Sequence, residues 1–144
     1  MSDTKQVALV TGAAKGIGLA IAKRLSSDGM TVVINSHHPL TDEEKQSFSD
    51  AGFSFDNLVG DVANEADAEK IVGEVVEKYG QIDVLVNNAG ITKDKLLSRL
   101  KLADFKAVID TNLVGAFNMT KFAMKFMQKS RSGAIVNLSS ISGL

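Results

Sequence analysis

Five short stretches hold residues whose types and spacing could do chemistry. The first, Thr11-Gly12-Ala13-Ala14-Lys15-Gly16-Ile17-Gly18, follows the apolar run Val7-Ala8-Leu9-Val10 and leads into residues with helical spacing. A glycine at a strand end permits a tight turn, a second lets backbone N–H groups approach a pyrophosphate, and a third allows close helix-to-strand packing, while the helix N-terminus favours the anion. In this context the stretch reads as a dinucleotide site, with Gly12, Lys15, Gly16, Ile17 and Gly18 as candidate residues. It lacks the Gly-Lys-Ser/Thr ending of a nucleoside-triphosphate loop, which argues against an NTPase.

The other four stretches are Asp61-Val62, Asn87-Asn88-Ala89-Gly90, Asp110-Thr111-Asn112-Leu113 and Asn137-Leu138-Ser139-Ser140. Each alone also reads as local structure: Asp61 as a helix-entry residue, Asn87 to Gly90 as a strand-ending turn, Asn112 as a polar residue at a helix kink, and the serines as a cap. The second β-rich run ends Asn35-Ser36-His37-His38, without the carboxylate that would bond an unphosphorylated ribose, and Lys15 adds positive charge. NADP(H) is therefore the expected cofactor, with Asn35 beside its ribose. His37 and His38 have no Cys or helical His-x-x-x-His partner, so no metal site is expected and they read as solvated loop residues.

The elements that must position these residues follow from hydrophobic period. Short β-rich runs at 7–10, 31–35, 53–59, 82–87 and 134–138 alternate with helical stretches. Ile17, Ala20, Ile21 and Leu25 predict one apolar helix face, Thr41 and Glu44 a capping box opening a short helix that stops near Gly52, and residues 65–79 the clearest helix. A single long helix is expected over 103–129. Strand and helix in alternation predict an α/β fold, a Rossmann-like doubly wound parallel sheet with helices on both faces, in one dinucleotide-binding domain spanning 1–144.

Composition narrows the function. The 16 Lys and Arg against 17 Asp and Glu supply no basic excess for nucleic acid or an anionic membrane surface, so neither is an expected partner. No cysteine is present, which excludes a disulfide framework, thiolate-bound zinc and a cysteine nucleophile, and suits a reducing compartment such as the cytoplasm.

Taken together and in order, the five stretches resemble the short-chain dehydrogenase/reductase family, whose glycine motif has this Gly-x-x-x-Gly-x-Gly form. The resemblance implies that Asp61 and Val62 meet adenine, that Asn88, Ala89 and Gly90 border the cofactor, that Asn112 holds a water in a proton relay, and that Ser140 is the catalytic serine bonding the substrate carbonyl oxygen. Asn87 to Asp94 with Leu96-Leu97 is similar to 3-oxoacyl-acyl-carrier-protein and acetoacetyl-CoA reductases. That likeness implies NADPH-dependent reduction of a 3-oxoacyl thioester, a homo-oligomer, and Arg131 as a docking point for an acidic acyl-carrier protein. Arg131 reads equally well as a cation at a helix C-terminus, and Lys93, Lys95, Arg99 and Lys101 as a solvated basic run.

The family's proton donor lies in a Tyr-x-x-x-Lys motif beyond the serine strand. The only tyrosine here, Tyr79, is followed four residues later by Asp83. The C-terminal part of the family's fold is thus expected to be absent, the chain alone to be inactive, the fifth strand to be an open edge, and some of Phe117, Phe122, Phe126 and Met127 to be exposed. A noncatalytic dinucleotide- or partner-binding remnant remains an alternative. A methyltransferase would share the architecture but leaves Asn87 to Gly90, Asn112 and Ser140 unexplained.

Overall fold

A computed structural model describes residues 5–143. Strands β1 (Val7–Val10), β2 (Thr31–Ser36), β3 (Asp56–Val59), β4 (Val84–Asn87) and β5 (Ala134–Asn137) form one parallel sheet in the order β3-β2-β1-β4-β5. Helices α1 (Gly16–Ser27), α2 (Asp42–Asp50), α3 (Glu65–Tyr79), α4 (Leu102–Ile109) and α5 (Gly115–Ser130) connect them. Register is set by pairs such as Leu9 with Val33 on one side and Leu9 with Leu85 on the other. The strand order reverses between β1 and β4, which opens a crevice outside the carboxyl ends of those two strands. This is the Rossmann-like doubly wound arrangement that the alternating pattern predicted.

Side-chain alternation divides the core. Val7, Leu9, Val33 and Leu85 face α3 and α5, where Ile71, Val72, Val75, Met119 and Ala123 are buried. Ala8, Val10, Val32 and Ile34 face α1 and α2, packing on Ala22 and Phe48. The α1 face differs from the expected stripe: Gly18 and Ala22 are its buried pair, Ala20 is exposed, and Ile17 is 67% exposed at the crevice. The sheet needs a close approach there, and small residues four apart provide it.

The expected long helix is interrupted. Residues 110–114 widen into a π-helical turn between α4 and α5, with the Gly115 N–H bonding the Asp110 carbonyl. Immediately beyond, α5 presses against the loop after β3: a Cβ on Gly115 would lie 2.5 Å from Val62 Cγ2, and buried Asn118 donates to the Val62 carbonyl at 3.0 Å. A π-turn adds one residue to the ring, which re-phases α5 relative to α4.

Chain breaks follow local chemistry. Thr41 and Glu44 form the capping box of α2, Asn64 caps α3 by accepting from the Asp67 N–H, and Gly80 ends α3 in the left-handed region. The third strand is shorter than its β-rich run: pairing begins at Asp56, and the Phe53 and Phe55 rings stack on one another ahead of it. β5 is an edge strand with Val136 48% exposed. Phe117 is 62% exposed, Phe122 and Phe126 are half-buried against the α3 side, and Met127 is buried.

Tyr79, the last residue of α3, anchors that helix to β3 with its hydroxyl donating to the Asp56 carboxylate, to which the Lys78 ammonium also bonds. The bonds from Lys78 and Tyr79 hold the Asp56 carboxyl below its usual range despite partial burial, and burial with the Asp56 contact pushes the Tyr79 hydroxyl up. A carboxyl with a depressed folded pKa stabilises fully above its unfolded value, about 4, and that stabilisation is lost as pH falls through the folded value. Thermal melts from pH 7 down to pH 2 should accordingly show a shallower acid limb for Asp56→Asn than for the unaltered chain; parallel limbs would contradict the assignment.

Candidate functional site

The site is built where two turns meet. Thr11, at the end of β1, is buried, and its Oγ1 accepts from the N–H groups of Asn88 and Ala89 at 3.1 and 3.0 Å while donating to the Val86 carbonyl at 3.3 Å. In return the Asn88 amide donates to the carbonyls of Thr11 and Gly12, both at 3.0 Å. The clamp leaves no room for side chains. A Cβ on Gly12 would stand 2.8 Å from Ala89 Cα, and one on Gly18 would stand 2.3 Å from Asn88 Nδ2.

Gly16 is different: its φ is +63°, and a Cβ there would meet nothing within 4 Å. It is open backbone at the first turn of α1. That helix has no side-chain cap at Lys15 and no acid in its first turn, whereas α2 and α3 carry both. Unpaired N–H groups at an uncapped, acid-free N-terminus, facing space that only glycine leaves clear, fit a pyrophosphate.

Asn35 is 1% exposed at the end of β2, and its side chain is spent on the protein. Its Oδ1 accepts from the Gly12 N–H at 3.3 Å, and its Nδ2 donates to the carbonyls of Leu58 and Gly60 at 3.0 and 3.2 Å. Asn35 shapes the glycine turn from behind. Asp61 Oδ1 accepts from the Ala63 N–H at 2.9 Å, and its Oδ2 lies 3.6 Å from His37 Nε2. Val62 is buried against Gly115 and lines the inner wall.

A cavity of about 1390 Å³ brings the remaining candidates together: Ile17, Asn88, Ala89, Gly90, Asn112 and Ser140 all line it. Its outer wall is apolar, with Phe105, Leu113 and Phe117. Asn112 sits in the π-turn, where its Oδ1 accepts from the Ile91 N–H at 2.8 Å and its Nδ2 donates to the Ile91 carbonyl at 3.0 Å, locking the loop after β4 to the helix pair. Ser140 is exposed on the loop after β5, and its Oγ accepts from the Ser142 N–H at 3.2 Å, which leaves the hydroxyl proton free to be donated. Below them Asn87 donates to Thr120 Oγ1 at 3.0 Å and to Asn137 Oδ1 at 2.9 Å, tying β4, α5 and β5 under the serine loop.

Lys15 is exposed at the mouth of the glycine turn. Arg131 lies outside the cavity, closing α5 with a φ of +56° and its side chain exposed. Lys95 of the basic run pairs with Asp104 at 3.4 Å. Asn118 and Thr120 were not singled out from sequence, and Thr11, Asn87 and Asn137 were named only as members of their stretches; an Asn within an otherwise apolar helical stripe is a signal that could have found Asn118. Among the described residues no cluster of His, Cys, Asp and Glu could hold a metal ion, and no helix is long and apolar enough to cross a membrane.

A doubly wound parallel sheet with a glycine turn after its first strand, and with Thr11, Ile17 and the serine loop lining one cavity, is a Rossmann-like dinucleotide-binding architecture. The profile of the short chain dehydrogenases matches residues 6–144. The chain is 45% identical over 144 residues to a 3-oxoacyl-[acyl-carrier-protein] reductase of Synechocystis sp., covering 98% of this chain and 58% of that protein. It is 40% identical over 141 residues to an acetoacetyl-CoA reductase of Allochromatium vinosum, covering 96% and 57%. The ligand-free aldohexose dehydrogenase of Thermoplasma acidophilum superposes with a TM-score of 0.83 at 34% identity, covering 94% of this chain and 49% of that one. The chain belongs to the short chain dehydrogenase family. It spans a little over half the length of the curated relatives it matches.

Thr11→Val keeps the shape of the clamp and removes the acceptor for two N–H groups. Leaving buried donors unpaired costs about 1–3 kcal/mol, so urea unfolding should show Thr11→Val less stable by roughly 2 kcal/mol and Thr11→Ser close to the unaltered chain. Equal stability of all three would remove the clamp from the account.

Proposed function

We propose that residues 1–144 form the dinucleotide-binding domain of an NADP(H)-dependent reductase that converts 3-oxoacyl thioesters, on acyl-carrier protein or coenzyme A, to 3-hydroxyacyl thioesters. The observation that carries this reading is the convergence of Thr11 and Ile17 of the glycine stretch with Asn88, Ala89, Gly90, Asn112 and Ser140 on one cavity. When bound, the nicotinamide supplies the hydride. The open backbone at Gly16 and the free N–H groups of α1 would hold the pyrophosphate, and Lys15 would add charge at the phosphates. Asn88, Ala89 and Gly90 would form the floor beneath the dinucleotide.

Ser140 would donate a hydrogen bond to the carbonyl oxygen as negative charge grows on it, a pre-positioned dipole that water cannot match. Asn112 holds the floor loop through Ile91 and stands where a water could be kept for proton transfer. Arg131 is exposed beyond the cavity, where a cation would greet an acidic carrier protein.

One observation favours a second reading, in which these residues bind a dinucleotide without turning over substrate. Tyr79 is committed to Asp56 at the far end of α3 and does not line the cavity. The alkoxide formed by hydride transfer needs an acid of matched strength, and among the described residues the cavity holds no tyrosine.

Purified residues 1–144 should bind NADPH more tightly than NADH, read by nucleotide fluorescence, and should not oxidise NADPH steadily with acetoacetyl-CoA. In a longer chain that does turn over, Ser140→Ala should lower kcat by about 10²- to 10³-fold, the scale of one lost oxyanion donor. Tighter NADH binding, or an unchanged Ser140→Ala rate, would overturn the proposal.

The positions Phe105, Ile109, Leu113 and Phe117 recur every four residues and are exposed. An apolar row of this kind suits a second copy of the chain. Light scattering should show self-association, and Phe117→Lys should reduce it; a monodisperse monomer would contradict a homo-oligomer.

A further inference from the structure

Residues 90–99, between β4 and α4, are the longest unbroken run of exposed residues among those described. Within this run the chain makes one tight turn, in which the Leu96 carbonyl accepts from the N–H groups of Arg99 and Leu100 at 2.8 and 3.0 Å. One leucine anchors the turn. Leu100 is half-buried and lines the large cavity, whereas Leu96, Leu97 and Leu102 are 69%, 87% and 66% exposed. Single exposed leucines are ordinary, but three within seven residues, two of them adjacent in one turn, form a patch.

Cations are interleaved with these leucines. Lys93, Lys95, Arg99 and Lys101 against Asp94 give residues 91–102 a formal charge of +3, in a chain whose total is −1. Asp104 of α4 reaches Lys95 at 3.4 Å. Among the described residues no carboxylate lies within ion-pair distance of Lys93, Arg99 or Lys101. Leu96, Leu97 and Leu102 line neither the large cavity nor the smaller one beside Asp56 and Tyr79, so neither offers a groove around them for the side chains of a folded partner. A fluid surface needs no groove.

We propose that residues 93–102 form a peripheral docking surface for an anionic lipid bilayer, with Leu96, Leu97 and Leu102 entering the boundary between headgroups and acyl chains and the four cations bonding lipid phosphates. Lysine and arginine stems can lie along the apolar layer while their charged ends stay among the headgroups. Apolar side chains and basic residues on one exposed segment bind such a surface jointly, each cation contributing about fivefold. The contact is peripheral, because no helix among the described residues is long and apolar enough to cross a membrane. Lys93 and Lys95 also line the large cavity, so docking sets the cavity beside the lipid surface.

Attraction between exposed charges is screened, with a Debye length of about 10 Å at 0.1 M salt and about 3 Å at 1 M. Vesicle flotation with the full chain separates lipid-bound protein from any that self-associates. Vesicles of equal parts phosphatidylglycerol and phosphatidylcholine should carry the chain upward at about 0.1 M salt and release it at about 1 M, and vesicles of phosphatidylcholine alone should not carry it. The sequence contains no tryptophan, so Leu97→Trp keeps an apolar side chain in the turn and supplies a single indole, whose emission should move to shorter wavelength on the anionic vesicles only.

Lys93→Gln with Lys101→Gln should lower partitioning roughly 10- to 25-fold. Lys45→Gln with Lys70→Gln, the same loss of charge at exposed positions on α2 and α3, should lower it by less than about twofold. No flotation with anionic vesicles, equal losses in the two double variants, or an unshifted emission on vesicles that carry the chain overturns the inference. Binding of soluble polyglutamate with none to anionic vesicles also overturns it and assigns the segment to an acidic protein partner.

Discussion

The exchange of hydrogen bonds between Thr11 and Asn88 is the constraint on which the rest of the site depends. β1 and β4 are neighbours in the sheet, but their chains leave it toward helices on opposite faces, so their carboxyl ends must diverge. The Thr11 hydroxyl and the Asn88 amide hold the two departing turns together across that divergence. Backbone approaches this close exclude side chains, which is why glycine stands at positions 12 and 18. The crevice then opens above the clamp, bounded by parts that cannot drift apart without breaking buried bonds.

Further supports extend the same logic outward. Asn35 braces the glycine turn from the β2 side and Asn112 braces the floor loop from the helix side, each through a carboxamide that donates and accepts at once. The Asn87–Thr120–Asn137 set carries the serine loop on β5. A side-chain amide suits the Asn35 and Asn112 positions because one planar group can pair with both an N–H and a C=O of irregular backbone. The apolar core holds the layers together, and the amides decide the shape of the crevice.

The two faces of the sheet are unequally covered near the crevice. α3 and α5 pack over one side, whereas on the other α1 and α2 cover β1 and β2, and β5 keeps Val136 exposed. Ser140, on the loop after that edge strand, is exposed as well. Charge is used sparingly: α2 and α3 begin with acids and side-chain caps, while α1 begins with neither, so its unpaired dipole is directed at the crevice.

Much was legible in the residues alone, because it depends on neighbours along the chain. Alternation of β-rich and helical spacing settles the doubly wound class, the capping box of α2 and the glycine end of α3 are local chemistry, and the glycine turn declares itself by following an apolar run and opening a helix. What lay outside that reach depends on residues far apart in sequence. The burial of Asn35, the Thr11–Asn88 clamp, the facing of His37 and Asp61, and the bond from Tyr79 to Asp56 all join segments that meet only when strands pair. The π-turn at 110–114 follows the same rule, since helical periodicity continues through it, and only the press of Gly115 against Val62 shows why the helix must change phase. Periodicity encodes which face of an element is apolar; hydrogen-bond geometry between distant loops is decided by the sheet that brings them to 3.0–3.1 Å.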